Sequence, residues 1–327
     1  MEYTTLGRTG LTVSRLALGC MSYGDPAWRR WVLDEEAAQP FFRRAVEAGI
    51  TFFDTADMYS IGVSEEITGR ALRRYANPDE VVIATKVHFA MGSGPNMKGL
   101  GRKHIIQGCE ASLRRLGVDT IDLYQIHRLD RTVPMEEMLA ALDHLVRSGK
   151  VRYLGASTMY AWEFAKALYT SDQHGWARFV SMQNHYNLLY REEEREMLAL
   201  CRSEGIGVIP WSPLARGLLA GRPRVQAGGH TARAAVDAAS VEYLYDHPTD
   251  DAVIAAVRTV AAARERSMAQ VALAWLLQRP AVSAPIIGAT TLTQLDDAIA
   301  AVDLTLTPEE CAVLEAPYTA HDVRGWI

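Results

Sequence analysis

The chain has 327 residues, 49% of them hydrophobic and 22% charged, with 34 Lys and Arg against 39 Asp and Glu for a net charge of −5. The apolar fraction and mixed charge exclude a disordered chain. The slight acidic excess argues against nucleic acid or an anionic membrane as partner. No window approaches the roughly 18–20 apolar residues of a membrane helix, and the N-terminus lacks a secretory pattern. Cys20, Cys109, Cys201 and Cys311 are scattered without a CxxC pair, which points to reduced thiols, a cytoplasmic setting and no metal site.

Short apolar runs alternate with amphipathic segments along the chain. The first strand is predicted at 15–19, followed by GCMSYG at 19–24 rather than a GxGxxG phosphate loop. The second run is 51–53, after a helix stop at Gly49. The third is 81–84, followed by the Gly-rich stretch 88–101. A helix over 102–117 places Ile105, Ile106, Cys109, Leu113 and Leu116 on one face and stops at Gly117. A fourth strand at 121–126 precedes a helix over 136–149, built on Met138, Leu139, Leu142, Leu145 and Val146 and stopped by Gly149. Strands follow at 151–154 and 179–182. A helix over 193–204 carries Met197, Leu198 and Cys201, with 191–195 read as its solvated start, and Gly205 ends it. The last two strands are 206–209 and 285–287. Between them lies a long irregular stretch, 212–248, expected to close over a bound ligand. Eight βα units with continuous apolar strands predict a (β/α)8 TIM barrel, one domain spanning 1–327. The open doubly wound sheet is the alternative, and the missing Gly-rich loop counts against it.

The residues after the strands carry the functional signal, because in a barrel they converge on one rim. Asp54, Lys86, His127, Ser157 and Gln183 follow the second to sixth strands, Trp211 and Ser212 the seventh, and Gly288 the eighth. Tyr59 lies in the loop after Asp54. A carboxylate, an ammonium, a phenol and an imidazole at one mouth suit proton transfer to a carbonyl oxygen. Lys86 is expected to lower the Tyr59 pKa, and Asp54 to keep Lys86 charged. None of these groups supplies a hydride, so a reduction needs a nicotinamide cofactor.

The segments LALGCMSYG (16–24), GITFFDTADMYSIGVSEEITGRAL (49–72), IATKV (83–87), DLYQIHRLD (122–130), VRYLGAST (151–158), SMQNHYNLL (181–189), WSPLARGLLAG (211–221) and PIIGATTLTQLDDAI (285–299) together resemble the aldo-keto reductases over nearly the whole chain. QNHYNLLYREEEREML and VIPWSPLARGLL are most similar to the bacterial YajO-like subgroup. The resemblance implies a barrel enzyme reducing an aldehyde or ketone with NADPH, NADH being the lesser cofactor. Its tetrad falls on Asp54, Tyr59, Lys86 and His127, with Tyr59 as proton donor.

The same resemblance implies a cofactor site across the barrel mouth. It includes Gly19, Cys20, Met21 and Asp54, with Ser157, Thr158 and Gln183 at the nicotinamide carboxamide and Trp211 stacked on the ring. Ser212, Pro213, Leu214, Arg216 and Gly217 surround the pyrophosphate, and Ile287, Gly288, Thr290, Gln294 and Asp297 the adenosine and its 2′-phosphate. Many members carry Asn at position 158, Arg or Lys near 290 and Asn at 298, where this chain has Thr158, Thr290 and Ala298. Arg222, Arg224 or Arg233 then supply the missing positive charge. Trp28, Trp31, His88 and Phe89 either line a substrate pocket or pack under loops, and Cys20 reads as a small buried hydrophobe. The partner is a small carbonyl compound whose identity is not legible, and neither is the oligomeric state. Two rival readings are a Schiff-base aldolase using Lys86 and a non-catalytic cofactor-sensing subunit.

Overall fold

A computed structural model describes residues 1–223 and 241–325 of the chain. Eight strands pair in parallel in the order β10–β3–β4–β5–β6–β7–β8–β9: Ala17–Gly19 (β3), Phe52–Asp54 (β4), Val82–Val87 (β5), Ile121–Ile126 (β6), Val151–Ser157 (β7), Phe179–Gln183 (β8), Gly207–Val208 (β9) and Ile286–Ile287 (β10). The two ends of the sheet meet. Val208 bridges Val282 in parallel, the Ser283 amide donates to the Val208 carbonyl at 2.8 Å, and the Ile286 amide to the Pro210 carbonyl at 2.9 Å. The fold is the expected (β/α)8 barrel, and each apolar run became a barrel strand.

An antiparallel hairpin, Tyr3–Thr5 (β1) with Thr12–Ser14 (β2), precedes the barrel and was not expected from the sequence. Its loop delivers Leu6 into an inner cluster with Ala17, Phe52, Val82, Leu123, Ile209 and Ile286, sealing the N-terminal end of the barrel. A larger apolar layer lies between the strands and the surrounding helices. Alternation of side chains along each strand explains the two layers. The helices stop where glycine permits a left-handed residue: φ is +81° at Gly49, +67° at Gly117, +76° at Gly149 and +70° at Gly205.

The stretch 191–195 departs from expectation. The helix begins only at Met197, after a short 3-10 turn Glu192–Glu194. Glu192 and Glu193 are buried rather than solvated. Glu192 accepts hydrogen bonds from Tyr318 Oη (2.7 Å) and the His321 amide (3.0 Å), and Arg191 pairs with Glu194 and Glu315. This turn is where the C-terminal segment docks, so its charges are spent inside the protein. The stretch expected to close over a ligand falls partly outside the described residues, which end at 223 and resume at 241. Arg224 and Arg233 lie outside them as well. Cys20, Cys109 and Cys201 are buried and unpaired, and Cys311 is half-buried and unpaired. Among the described residues no helix is long and apolar enough to cross a membrane.

Candidate active site

Strand register brings the four candidate groups together at the C-terminal end of the barrel. Asp54 ends β4 beside Ala84 of β5, and Lys86 of β5 pairs with Gln125 of β6, two residues before His127. Lys86 is fully buried. Its ammonium donates to Asp54 Oδ2 at 2.5 Å, to the Thr55 carbonyl at 2.8 Å and to Tyr59 Oη at 3.4 Å. The other Asp54 oxygen accepts from Gln183 Nε2 at 2.9 Å and Gln125 Nε2 at 3.0 Å. The carboxylate is therefore held from both sides, which fixes the ammonium and, through it, the phenol. Tyr59 is followed by two left-handed residues, Ser60 and Ile61, each with φ +50°. Such strain needs outside support, and Ser60 Oγ accepts the Asp25 amide at 3.1 Å.

The groups polarise one another. Burial pulls the Lys86 ammonium down, but Asp54 and Tyr59 outweigh it, so its pKa lies above the ordinary value and it stays charged. For Tyr59, burial pushes the pKa up and Lys86 only partly opposes it, so the net direction is upward. This corrects the expected depression: in a pocket this dry, desolvation of the phenolate exceeds the attraction of one neighbouring cation. Burial, Lys86 and Arg128 hold the His127 imidazole well below its usual value, so it is neutral. Its ring meets Tyr59 edge-on at 5.7 Å and Phe89 at 4.9 Å, and its Nδ1 is buried without a partner.

Above these residues opens a cleft of about 600 Å³. Of the expected residues, Gly19, Met21, Asp54, Tyr59, His127, Gln183, Trp211, Ser212, Pro213, Leu214, Arg216, Gly217, Arg222, Ile287, Gly288, Thr290, Gln294 and Asp297 line it. Three do not. Cys20 points into the core, with its thiol toward the Leu18 carbonyl and its pKa pushed up to about 12 by burial. Ser157 and Thr158 are buried behind Trp211: Ser157 Oγ lies 3.2 Å from Thr158 Oγ1, which accepts the indole N–H at 3.1 Å. The indole also stacks on His185, with centroids 4.2 Å apart, and His185 in turn on Tyr190. Trp31 and Phe89 line the cleft, whereas Trp28 and His88 lie outside its walls.

The rim after β9 is a tight turn rich in left-handed residues. Ser212, Ala215, Arg216 and Gly217 all have positive φ, at +52°, +47°, +54° and +104°. Two amides are used within the turn, Ala215 N–H donating to the Ser212 carbonyl at 2.9 Å and Gly217 N–H to the Leu214 carbonyl at 2.8 Å, while Arg216 and Arg222 bring positive charge to the rim. Gly217 has no alternative, because a Cβ there would fall 2.5 Å from Arg222 Cδ as well as being strained. At the opposite end Gln294 accepts the Thr290 amide at 2.9 Å, and Gln270 donates to Asp297 at 3.0 Å. A flat indole, a cationic turn and a polar far end, laid along one cleft, fit an extended dinucleotide.

A profile of the Aldo/keto reductase family matches residues 15–318. The chain belongs to the aldo/keto reductase family. It is 46% identical to a versiconal hemiacetal acetate reductase of Aspergillus parasiticus, over 99% of each chain. It is 42% identical to a putative aryl-alcohol dehydrogenase of Schizosaccharomyces pombe, over 99% of this chain and 98% of that one. It is also 42% identical to a putative aryl-alcohol dehydrogenase of Saccharomyces cerevisiae, over 99% of each. These aldo/keto reductases are fungal, so the likeness is not specific to a bacterial subgroup. Family and relatives make the protein an oxidoreductase of carbonyl chemistry. Sequence reading passed over Gln125, Arg128, Met58 and Ser267. Gln125 lies inside a strand and carries no rim signal, Met58 reads as loop, and Ser267 is the cap of the helix Met268–Leu277. Arg128 did carry a signal, since it directly follows His127.

Proposed function

We propose that this aldo/keto reductase, acting as one barrel unit, reduces aromatic and related aldehydes or ketones to alcohols with NADPH, and that Tyr59 gives the proton. The observation that carries the reading is the buried chain Asp54–Lys86–Tyr59 beside a neutral His127 at the floor of the cleft. The dinucleotide supplies the hydride when bound. Trp211 offers its indole face to the nicotinamide. Gln183 spends both amide hydrogens on Asp54 and Gln125, which leaves its carbonyl oxygen to accept from the carboxamide. Arg216, Gly217 and Arg222 hold the pyrophosphate, and Arg222 with the Thr290–Asp297 end favours the 2′-phosphate. Ser157 and Thr158 act through Trp211 rather than by touching the cofactor.

The substrate oxygen sits between Tyr59 Oη and the His127 ring N–H, and the raised Tyr59 pKa keeps the phenol protonated, the form a reduction consumes. As the proton leaves, Lys86 stabilises the phenolate, and Asp54 holds Lys86. The aromatic walls Trp31 and Phe89, and the names of the yeast relatives, support an aryl substrate. The free thiols support a reducing compartment such as the cytoplasm. A panel of aryl, short-chain and sugar aldehydes, followed by NADPH and NADH consumption, tests the reading. No turnover with any aldehyde would favour a cofactor sensor. The Schiff-base alternative predicts borohydride trapping on Lys86, and a charged Lys86 pinned by Asp54 disfavours it.

A further inference from the structure

Arg29, Arg128, Arg216 and Arg222 line the cleft outside the tetrad, and Arg128 is the one adjoining it in sequence. Arg128 follows His127 and lines the same wall, beside Tyr59. Its only hydrogen bond among the described residues runs from Nη1 to the carbonyl oxygen of His127, at 2.6 Å. Its Nε is buried with no partner, and no described carboxylate lies within ion-pair distance. The nearest acid in the cleft, Asp54, is already taken by Lys86 and two glutamine amides. Other half-buried guanidiniums are either matched by carboxylates, Arg191 with Glu194 and Glu315, Arg279 with Glu315, Arg264 with Glu310, or, as Arg15, satisfied by three backbone carbonyls, whereas Arg128 has a single carbonyl. A guanidinium partly withdrawn from water without a counter-charge is costly. It persists where a ligand completes it, and its planar fork matches a carboxylate best.

Position decides which ligand. Arg216 and Arg222 stand at the glycine turn after β9, where the pyrophosphate is assigned, whereas Arg128 directly follows His127, whose ring meets Tyr59 and Phe89 edge-on. Arg128 therefore adjoins the groups assigned to the reacting oxygen. We propose that Arg128 is a specificity-determining residue that binds a carboxylate carried by the carbonyl substrate, so that the preferred substrates are aromatic aldehydes or ketones bearing an acid group. The proposal rests on the reductase reading for its substrate, but the anion site is a property of the cleft itself. The aromatic walls take the apolar body, Tyr59 and His127 the reacting oxygen, and Arg128 the acid.

The test compares para-carboxybenzaldehyde with para-methylbenzaldehyde, as NADPH-linked reduction by wild type, Arg128→Gln and Arg128→Lys. Wild type prefers the carboxylated aldehyde. Arg128→Gln lowers the ratio of kcat/KM values, carboxylated over neutral, by on the order of ten- to a hundredfold, through KM. Arg128→Lys, which keeps the charge and loses the fork, falls between. An unchanged ratio in Arg128→Gln overturns the proposal. So does an NADPH Kd that rises by the same factor, which would put Arg128 on the cofactor. A second measurement does not need turnover: benzoate should raise the Tm of wild-type protein more than benzamide does, and Arg128→Gln should abolish the difference. If no aldehyde is reduced yet benzoate stabilises selectively, the anion site stands and the reductase reading fails. If benzoate and benzamide act alike on wild type, the anion site is refuted whatever the turnover.

Discussion

Tyr59→Phe removes one hydroxyl whose only hydrogen bond among the described residues is the 3.4 Å contact from Lys86. That distance is at the weak end for such a bond, and Lys86 keeps Asp54 and the Thr55 carbonyl. The cost in stability is accordingly small, about 1 kcal/mol or less, or a Tm shift of roughly 2–4 °C. The effect on chemistry is of another size. General acid catalysis contributes roughly 10²- to 10⁴-fold, or about 3–5 kcal/mol of transition-state stabilisation. Stopped-flow single turnovers, mixing NADPH-loaded protein with an aryl aldehyde, read the chemical step directly. The rate should fall by at least a hundredfold while the NADPH Kd, titrated by tryptophan fluorescence, moves less than about threefold. Lys86→Met should also slow the step, and the double variant should be clearly sub-additive because the pair acts as one unit. A Tyr59→Phe protein whose chemical step stays near the wild-type rate would refute the assignment and leave His127 as the donor.

The raised Tyr59 pKa sets the direction of the pH profiles: reduction should stay level through neutral pH and fall only in the alkaline range, while oxidation of the alcohol should climb with pH. Opposite slopes at neutral pH, with chemistry limiting, would contradict the assigned form of the phenol. NADPH should bind tighter than NADH, with a preference that shrinks as salt rises and in Arg222→Ala, read by isothermal titration. Gly217→Ala should weaken both cofactors by tenfold or more, since a φ of +104° lies beyond the left-handed range its neighbours adopt and a Cβ there would push Arg222 aside; unchanged affinity would remove the turn from the site. Buried Asp57 has no partner of good geometry for either oxygen, and burial pushes its pKa up to about 8. Its folded-state pKa lies above the unfolded value near 3.9, so the unfolded state loses the proton first, and stability drains as pH rises between roughly 4 and 8. Asp57→Asn should remove part of that loss, raising Tm at pH 8 by several degrees and at pH 4 by little.

The barrel was legible because each strand is a continuous apolar run and each helix a one-sided stripe, two periodicities that the residues themselves carry. Gly49, Gly117, Gly149 and Gly205 punctuated them correctly, since a left-handed stop is a local property. The β1–β2 hairpin was not legible: its strands are three residues each, and their role is to place Leu6 across the barrel floor, a tertiary fact. The same holds for 191–195. All five of those residues are charged and read as surface, yet the C-terminal segment, more than a hundred residues later, covers Glu192.

At the site, what could be read was each residue that stands at a strand end, and what could not was how the groups share one another. Asp54, Lys86 and His127 announce themselves by position. Whether Tyr59 is acidified depends on a balance between one cation and the loss of water, and only the burial of the phenol decides that the loss wins. Gln125 and Gln183 show the same dependence. As isolated amides they are ordinary polar residues, but both converge on one oxygen of Asp54 and leave the other to Lys86. Gly155 makes room for that convergence, because a Cβ there would lie 2.8 Å from Gln125 Cγ and 2.6 Å from Ser181 Oγ. The carboxylate is thus fixed by residues from β6 and β8 that no local pattern connects, and the proton donor at the mouth inherits its position from a glycine on the strand between them.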